Sequence, residues 1–179
     1  MIQVLDLPNL KNCKITIVGM GYVGFPLAMH FSKTNVCLNT KQNLNRKIFG
    51  FDISKKRIDQ LKKGFDLTGE IKNEEILENK LLNFSTDENE ILDSDVFIIT
   101  VPTPIDKSHN PDLTNLLLAS KLVGRCFKRR ERTNIPLVIF ESTVYPGATE
   151  EQCIPVIEKE SGLRLNIDFC CGYSPERVN

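Results

Sequence analysis

The segment that most constrains the fold of this chain is Lys14 to Leu27, KITIVGMGYVGFPL. A short run rich in β-branched residues leads into a GxGxxG pattern, and apolar, helix-compatible sequence follows directly. A glycine-rich turn between a strand and a helix is typical of the diphosphate-binding turn in dinucleotide-binding units. The pattern therefore predicts a cofactor site made by six consecutive residues: Gly19, Met20, Gly21, Tyr22, Val23 and Gly24.

Each glycine of this turn has a separate physical task. Gly19 permits a sharp departure from the strand end, Gly21 lets backbone N–H groups approach a diphosphate, and Gly24 lets the helix lie close to the strand. The free N–H groups of the first helical turn, together with the helix dipole, then face the anion.

Asp52 follows the second predicted strand, Lys47 to Phe51. A carboxylate at this place accepts hydrogen bonds from the adenosine ribose hydroxyls and repels a 2′-phosphate, which favours NAD over NADP. The alternative is that Asp52, with Ser54, caps the following helix. Arg57 adds a second ambiguity, because a nearby arginine can accommodate a 2′-phosphate.

The spacing from Gly24 to Asp52 exceeds the roughly 20 residues usual for this fingerprint. A polar, asparagine-rich insertion over Asn35–Arg46 accounts for the excess and is interpreted as a loop or a hairpin-like extension. Its length predicts a difference at the adenosine edge of the site.

The rest of the chain continues to alternate strands with helices. The most apolar run, Val96 to Val101, is typical of a parallel strand covered by helices on both faces. Six strands are predicted, over 15–18, 47–51, 82–85, 96–101, 137–140 and 168–173. The predicted fold class is α/β, a Rossmann-like doubly wound parallel sheet of about six strands with helices on both faces.

Thr103 lies between two prolines directly after the apolar strand. The prolines keep this segment extended, and in a doubly wound sheet such a strand end flanks the ligand crevice. Thr103 is therefore a candidate cofactor contact, with an ordinary loop threonine as the alternative.

Composition excludes several classes of function. The chain has 179 residues with 23 basic and 23 acidic side chains, so it lacks the basic excess of a nucleic-acid binder. Neither a signal peptide nor an apolar run of about 20 residues is evident, which predicts a cytoplasmic protein that does not enter the membrane. Six cysteines without a CxxC pair are expected to be reduced thiols, and two histidines outside ligand spacing predict no metal site.

Four segments together go beyond a generic fingerprint: GMGYVGFPLA (19–28), GFDISKKRI (50–58), VPTPIDKSHNPDLT (101–114) and ESTVYPGATEE…GYSPERVN (141–179). They resemble the UDP-glucose/UDP-mannosaminuronate dehydrogenase family, and within it are most similar to the UDP-N-acetylglucosamine 6-dehydrogenases of polysaccharide synthesis. The resemblance covers the whole chain but only the first of the family's three parts. It implies that residues 1–179 form an NAD-binding domain, without the central dimerising region and the C-terminal UDP-binding domain.

The resemblance also implies a reaction. The family oxidises the C6 alcohol of a UDP-sugar to a carboxylate in two steps with two NAD, and the second step passes through a cysteine thiohemiacetal and thioester. UDP-GlcNAc or UDP-GalNAc is the implied substrate, with UDP-ManNAc or UDP-glucose as alternatives. None of the six cysteines has the glycine-rich context of the family's nucleophile, so this chain alone is expected to bind NAD without turnover.

Residue roles follow by motif from the same resemblance. Gly19 to Gly24 would hold the diphosphate, Asp52 and Arg57 would lie at the adenosine ribose, and Thr103 would lie on the nicotinamide side. Thr143 would share that side, and with Glu176 would organise the water used in proton transfer and thioester hydrolysis. The alternatives are a strand-end cap for Thr143 and a surface acid for Glu176.

Three further statements complete the sequence interpretation. The family resemblance implies a homodimer that forms through the central region. A different two-part dehydrogenase, of the 6-phosphogluconate or hydroxyacid type, is one rival, although such enzymes lack the ESTVYPG and SPER segments. The rival of another class is a stand-alone NAD-binding module without catalytic activity.

Overall fold

The chain folds around a six-stranded sheet in which all paired neighbours run parallel. The structure is a computed structural model, and it describes residues 7–104, 111–131, 134–142 and 144–174. The strands are β1 (Lys14–Val18), β2 (Lys47–Phe51), β3 (Leu82–Ser85), β4 (Val96–Ile99), β5 (Leu137–Phe140) and β6 (Cys170–Tyr173). Their spatial order, β3-β2-β1-β4-β5-β6, is the 3-2-1-4-5-6 order of the doubly wound dinucleotide-binding fold, and the predicted fold class is confirmed.

Helices cover both faces of this sheet. They are α1 (Gly24–Lys33), α2 (Lys55–Lys62), α3 (Asn73–Glu78), α4 (Thr114–Arg129) and α5 (Ile154–Ser161), with a 3₁₀ turn over Glu88–Glu90 and a π-helical turn over Thr149–Cys153. Ile15 and Ile17 of β1 pack into the core formed with α1, α2 and α3. Phe97 and Ile99 of β4 pack into the core formed with α4 and α5. Successive side chains of a strand point to opposite faces, so the central strands are buried on both sides.

Adjacent strands β1 and β4 mark the place where the strand order reverses, and ligands bind there at the carboxyl ends of such sheets. β4 ends at Ile99, two residues before its predicted end, because Thr100 turns toward the end of β1. The Thr100 hydroxyl lies 3.0 Å from the Val18 carbonyl oxygen and 2.9 Å from that of Gly19. This contact fastens the two strand ends together beside the glycine turn.

The insertion after α1 forms a hairpin-like loop, as predicted. Val36 pairs with Asn43 in an isolated antiparallel bridge, and Lys41 has a φ of 55°. The predicted effect on the adenosine edge is wrong. The insertion leads into the amino-terminal end of β2, where the Asn45 N–H donates to the Lys11 carbonyl (2.6 Å), so it lies at the opposite edge of the sheet.

A buried ion pair closes that opposite, amino-terminal edge. The Arg130 guanidinium contacts Asp95 Oδ1 at 2.8 Å, and their side chains are 3% and 2% exposed. Asp95 Oδ2 accepts the backbone N–H of Lys14 (2.8 Å). The pair thus joins the starts of β1 and β4 to the end of α4. Within the described ranges, no helix has the length and apolar character needed to cross a membrane.

Candidate functional site

A cleft of about 930 Å³ opens at the carboxyl ends of β1 and β2, and we call it the larger cleft. The residues that line it include Gly19, Met20, Gly21, Asp52 and Arg57. Strand ends and a helix start converge here, as expected at a topological switch point. The structure therefore brings together the predicted adenosine-side residues in one concave site.

The glycine turn has the geometry that a diphosphate requires. Gly19 has a φ of +101°, a left-handed conformation that favours glycine. A Cβ on Gly24 would overlap the Gly19 carbonyl oxygen and the Thr100 hydroxyl, so α1 can approach β1 only without a side chain there. A Cβ on Gly21 would meet nothing within 4 Å, which leaves open space beside the backbone for a ligand. The turn therefore fits the diphosphate of a dinucleotide.

Met20 contributes its backbone to the site and its side chain to the core. The side chain is fully buried and packs against Gly50, where a Cβ would lie 2.5 Å from the Met20 sulfur. The Met20 N–H donates to Asp52 Oδ2 (2.8 Å), and the Met20 carbonyl accepts from Arg57 Nε (2.7 Å). The turn is thus held from two sides by residues that line the larger cleft.

The structure separates the two roles considered for Asp52. Ser54 is the N-cap of α2, because its hydroxyl accepts the Arg57 N–H at 3.2 Å. Asp52 Oδ1 accepts the Ser54 N–H (2.8 Å), while Oδ2 accepts that of Met20. Each carboxylate oxygen has further acceptor capacity, so two ribose hydroxyls can still bind there.

Arg57 forms a buried ion pair that the sequence interpretation missed. Its Nη2 lies 2.7 Å from Asp66 Oδ1, and the two side chains are 11% and 0% exposed. Asp66 also accepts the backbone N–H groups of Thr68, Glu70 and Ile71. Burial acts to raise the pKa of Asp66, but the hydrogen bonds from Arg57 and Thr68 outweigh it and hold that pKa below its usual value. The resulting loop forms one wall of the larger cleft.

Apolar side chains that line the larger cleft were also missed. Ile53, Leu67 and Leu118 are 80%, 67% and 51% exposed, although each is aliphatic. Exposed apolar surface inside a concave site suits a flat aromatic ligand group. The sequence contained only weak indications that these side chains line a cleft. Leu118 lies outside the buried face of α4, and Ile53 directly follows Asp52.

A second, smaller cleft of about 330 Å³ also borders the glycine turn. Gly21 lines both clefts, while Tyr22, Val23 and Thr103 line only the smaller one. Glu141, which was not singled out from the sequence, lines it as well, and the Ser174 hydroxyl lies 3.5 Å from its carboxylate. The structure thus places Thr103 in a cleft that Gly21 also lines, and Asp52 in the other cleft.

Thr143 and Glu176 lie outside the described residues, so their predicted roles stay predictions. Ser142, the neighbour of Thr143, lines the smaller cleft. Over the part of the chain that the structure describes, no group of three or more His, Cys, Asp or Glu side chains could hold a metal ion.

Comparison with known proteins gives one family. The model of the UDP-glucose/GDP-mannose dehydrogenase family, NAD binding domain, matches residues 13–179. The match begins just before β1 and includes the glycine turn and both clefts.

Individual relatives agree with this match. The chain is 47% identical to a UDP-N-acetyl-D-glucosamine 6-dehydrogenase of Pseudomonas aeruginosa over 95% of its length, and 45% identical to one of Salmonella typhi over 96%. It spans only 36% of each of these relatives, about a third of their length. A solved UDP-D-ManNAc dehydrogenase of Pyrococcus horikoshii superposes with a TM-score of 0.75 at 31% identity, covering 93% of this chain and 37% of that one.

Proposed function

Because the chain belongs to the UDP-glucose/GDP-mannose dehydrogenase family, we propose that it is the NAD-binding part of a nucleotide-sugar 6-dehydrogenase. The substrate is a UDP-N-acetylhexosamine, UDP-GlcNAc or UDP-GalNAc, whose C6 is oxidised to the uronic acid with two NAD for polysaccharide synthesis. The observation that carries this choice is the identity of 47% and 45% to two UDP-N-acetyl-D-glucosamine 6-dehydrogenases, against 31% to the UDP-D-ManNAc dehydrogenase.

The cofactor spans both clefts in this proposal. The diphosphate binds at the glycine turn, the adenosine enters the larger cleft with its ribose on Asp52, and the nicotinamide enters the smaller cleft beside Thr103. The position of Gly21, on the wall of both clefts, supports this path. Arg57 belongs to the adenosine side as the residue that holds the Met20 carbonyl.

Thr143 and Glu176 are proposed as the catalytic residues of this part. When bound, NAD⁺ accepts a hydride from C6 of the sugar. Thr143 and Glu176 would position the water that takes the proton of the C6 hydroxyl and the water that later hydrolyses the thioester. Their neighbours support this placement, since Ser142 lines the smaller cleft and the Ser174 N–H donates to the Phe140 carbonyl at the end of β5 (2.9 Å).

The nucleophile for the second oxidation is proposed to lie outside these 179 residues. Burial raises the pKa of Cys126 and of Cys171 to about 12, and that of Cys153 to about 11, so these thiols are protonated at neutral pH. Cys37 lies in the insertion at the opposite edge of the sheet. Catalysis therefore needs further chain, and these 179 residues bind NAD without oxidising a UDP-sugar.

Formation of NADH tests the proposal. The 179-residue chain and the polypeptide of its complete reading frame are each mixed with NAD⁺ and one of four substrates: UDP-GlcNAc, UDP-GalNAc, UDP-ManNAc or UDP-glucose. We expect no NADH from the chain alone, and the fastest turnover by the complete polypeptide with UDP-GlcNAc or UDP-GalNAc. Turnover by the chain alone would refute the need for further residues. A preference for UDP-ManNAc or UDP-glucose would overturn the proposed substrate.

Two further proposals concern the complete polypeptide, its oligomeric state and its location in the cell. It forms a homodimer through a region outside this chain, so sedimentation velocity should give a monomer for the 179 residues and a dimer for the complete polypeptide. It works in the cytoplasm, which is consistent with six cysteines that form no CxxC pair in the sequence. Fractionation of the source cells tests the location.

A further inference from the structure

The buried pair of Arg57 and Asp66 bears on the choice between NAD and NADP. An arginine beside the acidic residue of this fold can bind a 2′-phosphate, and Arg57 lies on α2 within the cleft that also holds Asp52. Whether Arg57 is available for a phosphate depends on what its three guanidinium nitrogens contact.

Each of the three nitrogens is either hydrogen-bonded to a protein oxygen or buried. Nε donates to the Met20 carbonyl (2.7 Å), and Nη2 donates to Asp66 (2.7 Å). Nη1 is buried and has no hydrogen-bond partner among the described residues. The guanidinium carbon lies 5.4 Å from the centre of the Phe25 ring, which packs beneath it. The side chain thus forms part of the cleft wall while Met20 and Asp66 hold its guanidinium in place.

Asp66 keeps the guanidinium in this position. Its side chain is completely buried, and the Arg57 contact supplies the only cation that the structure places against it among the described residues. Moving Arg57 toward a 2′-phosphate would leave that carboxylate buried without its cation, which is strongly unfavourable. The three backbone N–H groups of the loop fix Asp66, so it cannot follow the arginine.

We infer that Asp66 is a specificity-determining residue, which sequesters Arg57 and so excludes NADP in favour of NAD. This inference rests on the proposed placement of the adenosine ribose at Asp52. Asp52 excludes the 2′-phosphate by direct repulsion, while Asp66 holds back Arg57, the arginine of α2 that could compensate for that repulsion. Asp66 does not touch the cofactor in this account and acts only through Arg57.

Asp66→Asn is the informative substitution. An amide that keeps the bonds from Glu70 and Ile71 presents its NH₂ group to Arg57, which releases the guanidinium toward the cleft. We expect the ratio of NADPH affinity to NADH affinity, measured by fluorescence titration, to rise about tenfold, the scale of a charge-assisted hydrogen bond. Asp95→Asn is the matched control, because it disturbs the other buried pair and should leave the ratio unchanged within about twofold.

Two further variants make the test decisive. In Asp66→Asn combined with Arg57→Met, the gain for NADPH should disappear, since the gain requires the arginine. Arg57→Met alone should weaken both cofactors equally and leave the ratio unchanged, and this result does not depend on whether the Asp66 variant folds. An unchanged ratio in Asp66→Asn, a gain that persists without Arg57, or a lower ratio in Arg57→Met alone would each overturn the inference.

Different results would refute the proposed cofactor site and the role of Asp66. If NADH does not bind to the unsubstituted chain, or binds as well to Asp52→Ala, the proposed placement fails whatever the NADPH ratio shows. If NADH binds with an affinity that depends on Asp52, but Asp66→Asn leaves the ratio of NADPH affinity to NADH affinity unchanged, only the specificity role of Asp66 is refuted.

Discussion

The part of the chain that the structure describes contains two buried arginine–aspartate pairs, one at each edge of the sheet. Arg130 and Asp95 join strand starts at the amino-terminal edge, and Arg57 and Asp66 join α2 to the loop beside the glycine turn at the carboxyl-terminal edge. Both pairs have contacts of 2.7–2.8 Å and little exposure, so their local chemistry is alike. Only the second pair touches the cofactor turn, through the Met20 carbonyl.

The difference teaches that equal burial does not mean equal function. At the amino-terminal edge a buried pair closes the framework, and its loss should cost stability alone. At the carboxyl-terminal edge the same type of pair also shapes a binding surface, and its loss through Asp66→Asn should change both stability and ligand choice. The predictions below test this separation.

The largest effect is expected from Arg130→Met, which leaves Asp95 buried without this cation. Breaking a buried pair in this way costs about 3–5 kcal/mol, so the free energy of unfolding in urea should fall by that amount. The NADH affinity of the folded fraction should not change, because the pair lies at the far edge of the sheet. A loss of NADH affinity in Arg130→Met would contradict the claim that the pair at the amino-terminal edge affects stability alone.

Gly24→Ala should destabilise by about 3 kcal/mol, since the added Cβ overlaps the Gly19 carbonyl and the Thr100 hydroxyl. Gly21→Ala is the matched control in the same turn. Its Cβ meets nothing within 4 Å, so the free energy of unfolding should change by less than about 0.5 kcal/mol while NADH affinity falls. Equal loss of stability in both variants would contradict the division of the turn into packing and ligand-facing glycines.

Asp52→Ala should weaken NADH binding by about 1.5–3 kcal/mol, the scale of hydrogen bonds to a charged group. Ser54→Ala is the control, because it removes the cap of α2 and should cost about 1 kcal/mol of stability with a smaller effect on NADH. Fluorescence titration measures the affinities. Unchanged affinity in Asp52→Ala would reduce this residue to a structural role in the turn.

The smallest effect is a pH dependence that comes from Asp66. Its pKa is lowered in the folded chain, so its contribution to stability is complete above the usual aspartate pKa, near 4, and is lost as pH falls through the lower folded value. Asp66→Asn should therefore flatten the decline of the unfolding free energy below about pH 4. The exposed Asp59 of α2 provides the control, and Asp59→Asn should leave that slope nearly unchanged.

Local sequence patterns predicted the framework well. The bounds of β2, β3 and β5 agree with the prediction. The glycine turn and Asp52 were predicted for the same reason, since neighbouring residues in the chain encode them. The parallel sheet with helices on both faces was also predicted, because alternating strands and helices restrict the possible arrangements to a few.

Features that depend on contacts between distant segments were not predictable in this way. Arg57 and Asp66 are separated by the end of α2 and a turn, and no periodic pattern links them. Glu141 reaches the smaller cleft only because β5 ends beside β4. The insertion Asn35–Arg46 was expected to change the adenosine edge because of its length. A connection from a helix into a parallel strand returns at the strand's amino end, which places the insertion at the other edge.

A structure of the chain with NAD⁺ bound, determined by crystallography, tests the central claim most directly. We predict diphosphate density within hydrogen-bond distance of the backbone N–H groups around Gly21, with the adenosine ribose on Asp52 and the nicotinamide in the smaller cleft. Density for the dinucleotide at any other place on the molecule, or a diphosphate displaced from the glycine turn, would contradict the account.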